Sequence, residues 1–153
     1  MYSFLLHIHS VLRYVFLLML VAAIIKSVSG WLGKKPFTEG TRKLNLFTVL
    51  VAHTQLLIGL ALYFMSPAVK VALANMKDAM KNTELRFWSV EHISMMIIAI
   101  VLITVGNALS KKGKDDEAKH KRGALFFLIA LILIFMAIPW PWSTIARGWM
   151  SGI

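Results

Sequence analysis

The chain has 153 residues, of which 58% are hydrophobic, and a mean hydropathy of +0.71. A soluble domain of this length does not require so apolar a composition, so we expect one integral membrane domain spanning residues 1–153. The absence of cysteine excludes disulfides, iron–sulfur clusters, thiolate metal sites and covalent c-type haem attachment. The net charge of +10 would suit a nucleic-acid partner, but most basic residues lie in two short connections between apolar runs, which argues against one.

Four apolar runs predict an all-α protein. They cover residues 3–26, 46–65, 87–109 and 124–140. Each is close to the roughly 20 residues that cross a hydrocarbon core of about 30 Å. We therefore expect an integral membrane up-down four-helix bundle in which the first and third helices lie diagonally across the core.

The connection between the second and third runs carries a pattern of its own. Apolar residues recur at helical spacing over residues 68–81, with lysines and an aspartate elsewhere around the helix. This pattern predicts a short amphipathic helix on the outer membrane surface, with an ordinary ordered loop as the alternative.

The distribution of basic residues predicts the orientation in the membrane. The first and third connections contain eleven of them, and the opposite side has five, including Arg147 in the tail. The eleven are Lys26, Lys34, Lys35, Arg42, Lys43, Lys111, Lys112, Lys114, Lys119, Lys121 and Arg122. The positive-inside rule then places the first and third connections in the cytoplasm and both termini outside, in a multi-pass membrane protein. His120, inside the third connection, is expected to be an exposed surface residue without a role.

Three histidines lie within the predicted spans: His9 in the first, His53 in the second and His92 in the third. A membrane interior penalises ionisable side chains, and neutral imidazole is a common ligand of haem iron. Helical rise places His9 about 8–10 Å and His92 about 8–9 Å above the bilayer midplane on the outer side. His53 falls roughly 3–4 Å to the cytoplasmic side of the midplane.

These depths favour His9 and His92 as the two ligands of one haem iron. Arg13 is four residues after His9 and shares its helix face, where it could bond a haem propionate or a quinone oxygen. His53 is kept as an alternative ligand or as a member of a polar network with its neighbours Thr54 and Gln55.

Other groups have two interpretations each. His7 is about 200° around the helix from His9, so we expect it at the interface, with an inward His7 as the alternative. Glu91 is expected at the outer interface near Arg86, with proton transfer or ligand orientation as the alternative. Trp140 and Trp142 are expected to anchor the fourth helix in the interfacial aromatic belt, with quinone stacking as the alternative.

Several segments resemble a known group of proteins: LLHIHSVLRYVFL, SGWLGKKPFTEGTRKLNLF, AHTQLLIGLALYF, RFWSVEHISMMIIAIVLITVG and IPWPW. They are similar to small four-helix membrane proteins of Bacteroidota that are labelled cytochrome b-like, and the resemblance covers nearly the whole chain. It implies a bacterial inner (cytoplasmic) membrane as the location, and His9, His53 and His92 as candidate haem ligands, with Arg13 as a supporting residue.

Three hypotheses about function follow. The first is a b-type haem protein that carries electrons or serves as a subunit of a respiratory or quinol-linked assembly. The second is an accessory or assembly subunit without a cofactor, whose basic loops bind anionic lipid or a partner, either respiratory-complex subunits or further copies of itself. The third is a small membrane protein that binds haem or a quinone transiently. No hydrolase or transferase signature is present, so an enzymatic role could only be redox.

Overall fold

The computed structural model describes residues 1–145, and all regular structure in that range is helical. Arg147, counted above among the outer basic residues, lies outside the described residues. The helices are α1 (Tyr2–Leu32), α2 (Glu39–Met65), α3 (Pro67–Ala74), α4 (Met76–Ala79), α5 (Thr83–Arg86), α6 (His92–Lys111) and α7 (Asp116–Ala137). A five-residue π-helical turn, Phe87–Glu91, joins α5 to α6.

Four helices are long and apolar enough to cross a membrane: Tyr2–Leu32, Glu39–Met65, Thr83–Lys111 and Asp116–Ala137. In the most apolar window of each, only 22–39% of the residues are buried inside the bundle. Most of the apolar surface therefore faces outward, as a bundle surrounded by lipid requires. The predicted fold class, an all-α bundle of four potential membrane-spanning helices, is confirmed.

The four long helices form a square. α1 packs against α2 and α7, and α6 packs against the same two helices. α1 and α6 therefore lie diagonally across the bundle, as expected. The α6–α7 pair is the most closely packed, and the α2–α6 seam is the most open. The shared core contains fully buried small side chains among large ones, such as Ala52, Ala99 and Ala130 beside Leu20 and Phe127. Small residues let membrane helices approach closely, which strengthens their dispersion contacts.

The second connection is helical, but in two pieces. Asn75 interrupts the predicted amphipathic helix because its backbone is not helical and its side chain accepts a hydrogen bond from the Asp78 amide. In α3, Val69 and Ala72 are buried against the bundle, whereas Val71 and Leu73 are exposed. Both faces of α3 are therefore apolar, and its outer face is suited to contact with lipid.

The spanning helices extend beyond the apolar runs at the end that carries the basic connections. α1 ends where Lys34 adopts a left-handed backbone (φ 49°) and the Lys35 amide bonds to the Gly30 carbonyl at 2.9 Å. α7 begins well before its apolar run because the Asp115 side chain caps it, accepting the Ala118 amide at 2.8 Å.

Candidate functional site

A cavity lies in the half of the bundle that contains the start of α1, bordered by α1, α2, the third spanning helix and the end of α7. His9, Arg13 and His92 all line it, so the structure brings together three of the four sequence-predicted site residues. Its volume is about 130 Å³. Apolar side chains such as Leu56, Met96 and Ile100 form most of the remaining wall.

His92 is held by a backbone carbonyl of the neighbouring helix. Its Nδ1 lies 2.7 Å from the Ala137 carbonyl oxygen at the end of α7. A carbonyl can only accept a hydrogen bond, so Nδ1 carries a proton, and in the neutral ring Nε2 is then the nitrogen with the lone pair. Metal-ligating histidines typically have this arrangement, in which one ring nitrogen donates to a carbonyl or carboxylate and the other binds the metal.

The sequence after α7 explains why that carbonyl is available. In a continuing helix, Ala137 O would accept the amide of residue 141, but the helix ends because Ile138, before Pro139, is extended, and residue 141 is itself a proline without an N–H. Pro139 likewise leaves Phe135 O without its helical donor, and the Trp140 indole Nε1 donates to it at 2.9 Å. Two carbonyls left open by prolines are thus satisfied by side chains, one of them the candidate ligand His92.

A π-helical turn precedes His92 and rotates the residues in front of it. The His92 amide bonds to Phe87 O, five residues earlier, instead of four as in an α-helix. Tyr63 of α2 donates its hydroxyl to Ser89 O at 2.9 Å, which ties the turn to α2 across the open seam. π-turns are frequent at functional sites.

An ion pair spans the same turn. Arg86 Nε donates to Glu91 Oε1 at 2.6 Å, and the two side chains are 34% and 38% exposed. Glu91 therefore pairs with Arg86, as the interfacial interpretation of Glu91 predicted.

His9 faces the cavity across a glycine. A Cβ placed on Gly59 would lie 3.1 Å from His9 Cε1, tighter than ordinary contact, so a side chain at position 59 would have to displace the ring. Gln55 lies one turn before Gly59 and donates its Nε2 to the His9 carbonyl at 2.8 Å. His9 Nδ1 and Gln55 Oε1 are both buried and have no hydrogen-bond partner within the described protein.

Arg13 lies one turn deeper than His9 on the same helix face. Its Nη2 donates to the Tyr14 hydroxyl at 2.9 Å, and its guanidinium carbon lies 4.7 Å from the centre of the Tyr14 ring. These contacts hold a half-buried cation at the cavity wall, where it favours an anionic or electron-rich oxygen.

Trp88 belongs to the cavity as well. Its ring centre lies 5.6 Å from that of His92, and it lines the same space. Trp88 precedes His92 by four residues, a spacing that puts two side chains on one helix face. Gln55, Gly59 and Tyr63 are also cavity residues that sequence reasoning did not assign.

His53 lies apart from the cavity. Its Nε2 is 2.9 Å from Thr104 Oγ1, and that hydroxyl already donates to Ile100 O, so His53 is the donor. The side chain is exposed on the surface of the α2–α6 seam. Neither neighbour shares its network: Thr54 bonds to Leu50 O, and Gln55 points to α1. The structure therefore separates His53 from the other two histidines of the spanning helices.

His7 and His120 complete the histidines. His7 is half-buried and is not among the residues that line the cavity, and its Nδ1 is buried without a hydrogen-bond partner in the described residues. The expectation for His120 is wrong: only 1% of its surface is exposed. Its ring lies edge-on to Phe37 at 5.1 Å, and its Nε2 approaches Pro36 O at 3.3 Å.

A second group of buried polar residues lies toward the end of the bundle that carries the basic connections. Asn45 in α2 and Ser27 in α1 converge with Ser110 of α6 on Gly123 of α7, where a Cβ would lie 3.2–3.8 Å from their polar atoms. Asn107 is a buried neighbour, and several of these polar atoms have no partner in residues 1–145. We call this group the inner polar layer. In the sequence, no pattern identifies its members as a buried polar group.

Residues 1–145 contain no group of three or more His, Cys, Asp or Glu side chains placed to hold a metal ion. Comparison of the chain with protein-family models, curated proteins and solved structures found no match.

Proposed function

We propose that this protein is a b-type haem-binding membrane protein that carries electrons within a respiratory or quinol-linked assembly of a bacterial inner membrane. The observation that carries the proposal is the meeting of His9 and His92, from diagonal helices, at one cavity in the bundle. Haem sites in four-helix bundles are built from side chains on facing helices in this way.

The donor set suits a haem better than a bare metal ion. A bare ion needs three or four protein ligands, whereas haem iron already has four porphyrin nitrogens and needs only axial ligands. His92 would supply Nε2, because its Nδ1–H is committed to Ala137 O. His9 would supply the second imidazole. Its Nδ1 is buried and has no hydrogen-bond partner within the described residues, so this ring nitrogen still lacks an interaction.

Arg13 would neutralise a haem carboxylate. A guanidinium forms strong, directional hydrogen bonds with carboxylates, and this one lines the cavity at the level below His9. When bound, the haem supplies a one-electron iron couple. The chain's own residues orient it, exclude water with apolar walls and balance its charge.

The size of the cavity sets a condition on this proposal. A porphyrin is larger than a space of about 130 Å³, so haem binding requires side chains to move apart. The open α2–α6 seam is where such widening would cost least, because fewer packed contacts would be broken there.

A quinone head group is the second candidate ligand. A cavity of about 150 Å³ holds one benzene ring, so a single six-membered ring matches the present volume. Gln55 Oε1 is a buried acceptor without a partner in the described part of the chain, and a quinol hydroxyl could donate to it. This candidate corresponds to transient binding of quinone in place of a permanent haem.

The test is the optical spectrum and haem content of the protein purified from haem-replete cells. A haem protein with two histidine ligands should give a Soret band, sharp α and β bands after dithionite reduction, and about one haem per chain by pyridine haemochrome assay. A colourless protein without haem would refute the proposal. If added quinone then protected that protein against thermal unfolding, the second candidate would stand; without protection, the cofactor-free accessory role would be favoured.

A further inference from the structure

A second cavity lies at the opposite end of the bundle from the histidine pair, beside the first basic connection. It has a volume of about 630 Å³ and is bordered by the last turns of α1, residues 34–38, the start of α2 and His120 of α7. We propose that it binds an anionic phospholipid by its phosphate group. The proposal is independent of the proposed haem function.

The charges at this cavity are all positive. Lys26 and Lys35 line it, and no acidic residue does so within the described chain. The nearest acid in sequence, Glu39, is engaged by the Arg42 guanidinium. Basic pockets between membrane helices on the cytoplasmic side are typical binding sites for anionic lipid head groups.

The loop holds its lysine in a defined position. The left-handed Lys34 and the Lys35 N to Gly30 O bond turn the chain back over the end of α1. Lys35 Nζ then donates to Ser29 Oγ at 2.8 Å. An ammonium has three donors, so this bond leaves two for phosphate oxygens.

His120 gives independent evidence of an unfilled interaction. It lines the cavity and is 1% exposed, and its Nδ1 has no hydrogen-bond partner among the described residues. Because Nε2 faces the Pro36 carbonyl oxygen, Nε2 is the protonated nitrogen and Nδ1 is an acceptor. A head group with hydroxyls, such as the glycerol of phosphatidylglycerol, would supply the donor that this nitrogen lacks.

The apolar part of the cavity favours a lipid over free phosphate. Ala22 and Ile25 line it on the side toward the membrane centre: Ala22 is one helical turn before Lys26, and Ile25 directly precedes Lys26. The Ile25 side chain is 63% exposed. Leu44 of α2 borders the same space. The wall thus changes from apolar to cationic along α1, as the acyl-to-phosphate boundary of a phospholipid does.

The experiment is native mass spectrometry of the purified full-length protein with phosphatidylglycerol or phosphatidylcholine of identical acyl chains. We expect selective retention of phosphatidylglycerol. The variant Lys26→Gln/Lys35→Gln should bind it about thirtyfold more weakly, since each lysine near a lipid surface contributes about 1 kcal/mol. Lys77→Gln/Lys81→Gln is the matched control, with the same charge change in the second connection, and it should bind as the wild type does.

Two additional variants distinguish a bound lipid from a free anion and from unspecific charge attraction. Lys26→Arg/Lys35→Arg should retain binding, and Ala22→Trp should weaken it by filling the apolar part without changing charge. Equal loss in both lysine-to-glutamine variants would show unspecific charge attraction and overturn the proposal. Full displacement of phosphatidylglycerol by inorganic phosphate, with no effect of Ala22→Trp, would identify a free-anion site and overturn it as well.

Discussion

The Nδ1 atom of His92 lies 2.7 Å from the carbonyl oxygen of Ala137, and this bond fixes the ring tautomer of the residue we propose as a haem ligand. It also joins the third spanning helix to the end of the fourth. The bond depends on the end of α7 at Ala137: Ile138, before Pro139, is extended, and Pro141 has no N–H, so no helical amide occupies the same oxygen.

Pro139→Ala/Pro141→Ala should therefore weaken the hold on His92. Without Pro139 the helix can continue through Ile138, and the new amide at position 141 would then compete for Ala137 O, so the ring would lose its single tautomer. Nitrogen-15 NMR of histidine-labelled protein should show His92 as the Nδ1–H form in the wild type and as a mixture in the double variant. Pro141→Ala alone is the control, because the chain still leaves the helix at Ile138 and the amide at position 141 would not reach Ala137 O. An unchanged His92 spectrum in the double variant would contradict the role given to the prolines.

Gly59→Ala should impair ligand binding without unfolding the protein. The added methyl would lie 3.1 Å from His9 Cε1 and shift the ring by a few tenths of an ångström, whereas alanine in place of a helical glycine stabilises the helix by about 1 kcal/mol. Haem or quinone titration should show weaker binding while the melting temperature is retained. Gly40→Ala, at an open surface position, is the control. Wild-type affinity in Gly59→Ala would show that His9 does not face the ligand.

Gly123→Ala tests the inner polar layer. Its methyl would lie 3.2 Å from Ser27 Oγ and 3.4 Å from Ser110 Oγ, and overpacking of a buried site typically costs about 1–3 kcal/mol. We expect a lower melting temperature than for Gly40→Ala, with an unchanged spectrum from the distant histidine cavity. Equal melting temperatures would mean that the helices are less closely packed around Gly123 than the structure indicates.

The Arg86–Glu91 pair should contribute little to stability. Both side chains are more than a third exposed, and partly exposed ion pairs are worth about 0.2–1 kcal/mol. A double-mutant cycle with Arg86→Gln and Glu91→Gln should give a coupling energy in this range, decreasing with added salt. A coupling well above it would mean that the pair is shielded by lipid and holds the π-turn more firmly than its exposure suggests.

The meeting of His9 and His92 at one cavity was predictable because it depends on two regular quantities. Helical rise gives depth, and the up-down connection makes the first and third helices diagonal, so equal depth implies proximity across the core. The place of Arg13 at the same cavity followed from its spacing to His9 on one helix.

Other residues were not assigned although the sequence carries a signal for them. Trp88 precedes His92 by four residues, and this spacing alone puts the two side chains on one helix face. The prediction for His120 was wrong because its segment has the composition of a charged loop. Asp115 followed by Asp116 and Glu117 is nevertheless the signature of a capped helix start, and it predicts a helix that contains His120.

The most direct test of the central claim compares three matched variants, His9→Ala, His92→Ala and His53→Ala, by reduced-minus-oxidised optical spectra of the purified proteins. If His9 and His92 bind one haem, both variants should lose the sharp α and β bands, while His53→Ala keeps them because its imidazole lies outside the cavity. Loss of the bands in His53→Ala with retention in His9→Ala would contradict the assignment and move the site to the α2–α6 seam.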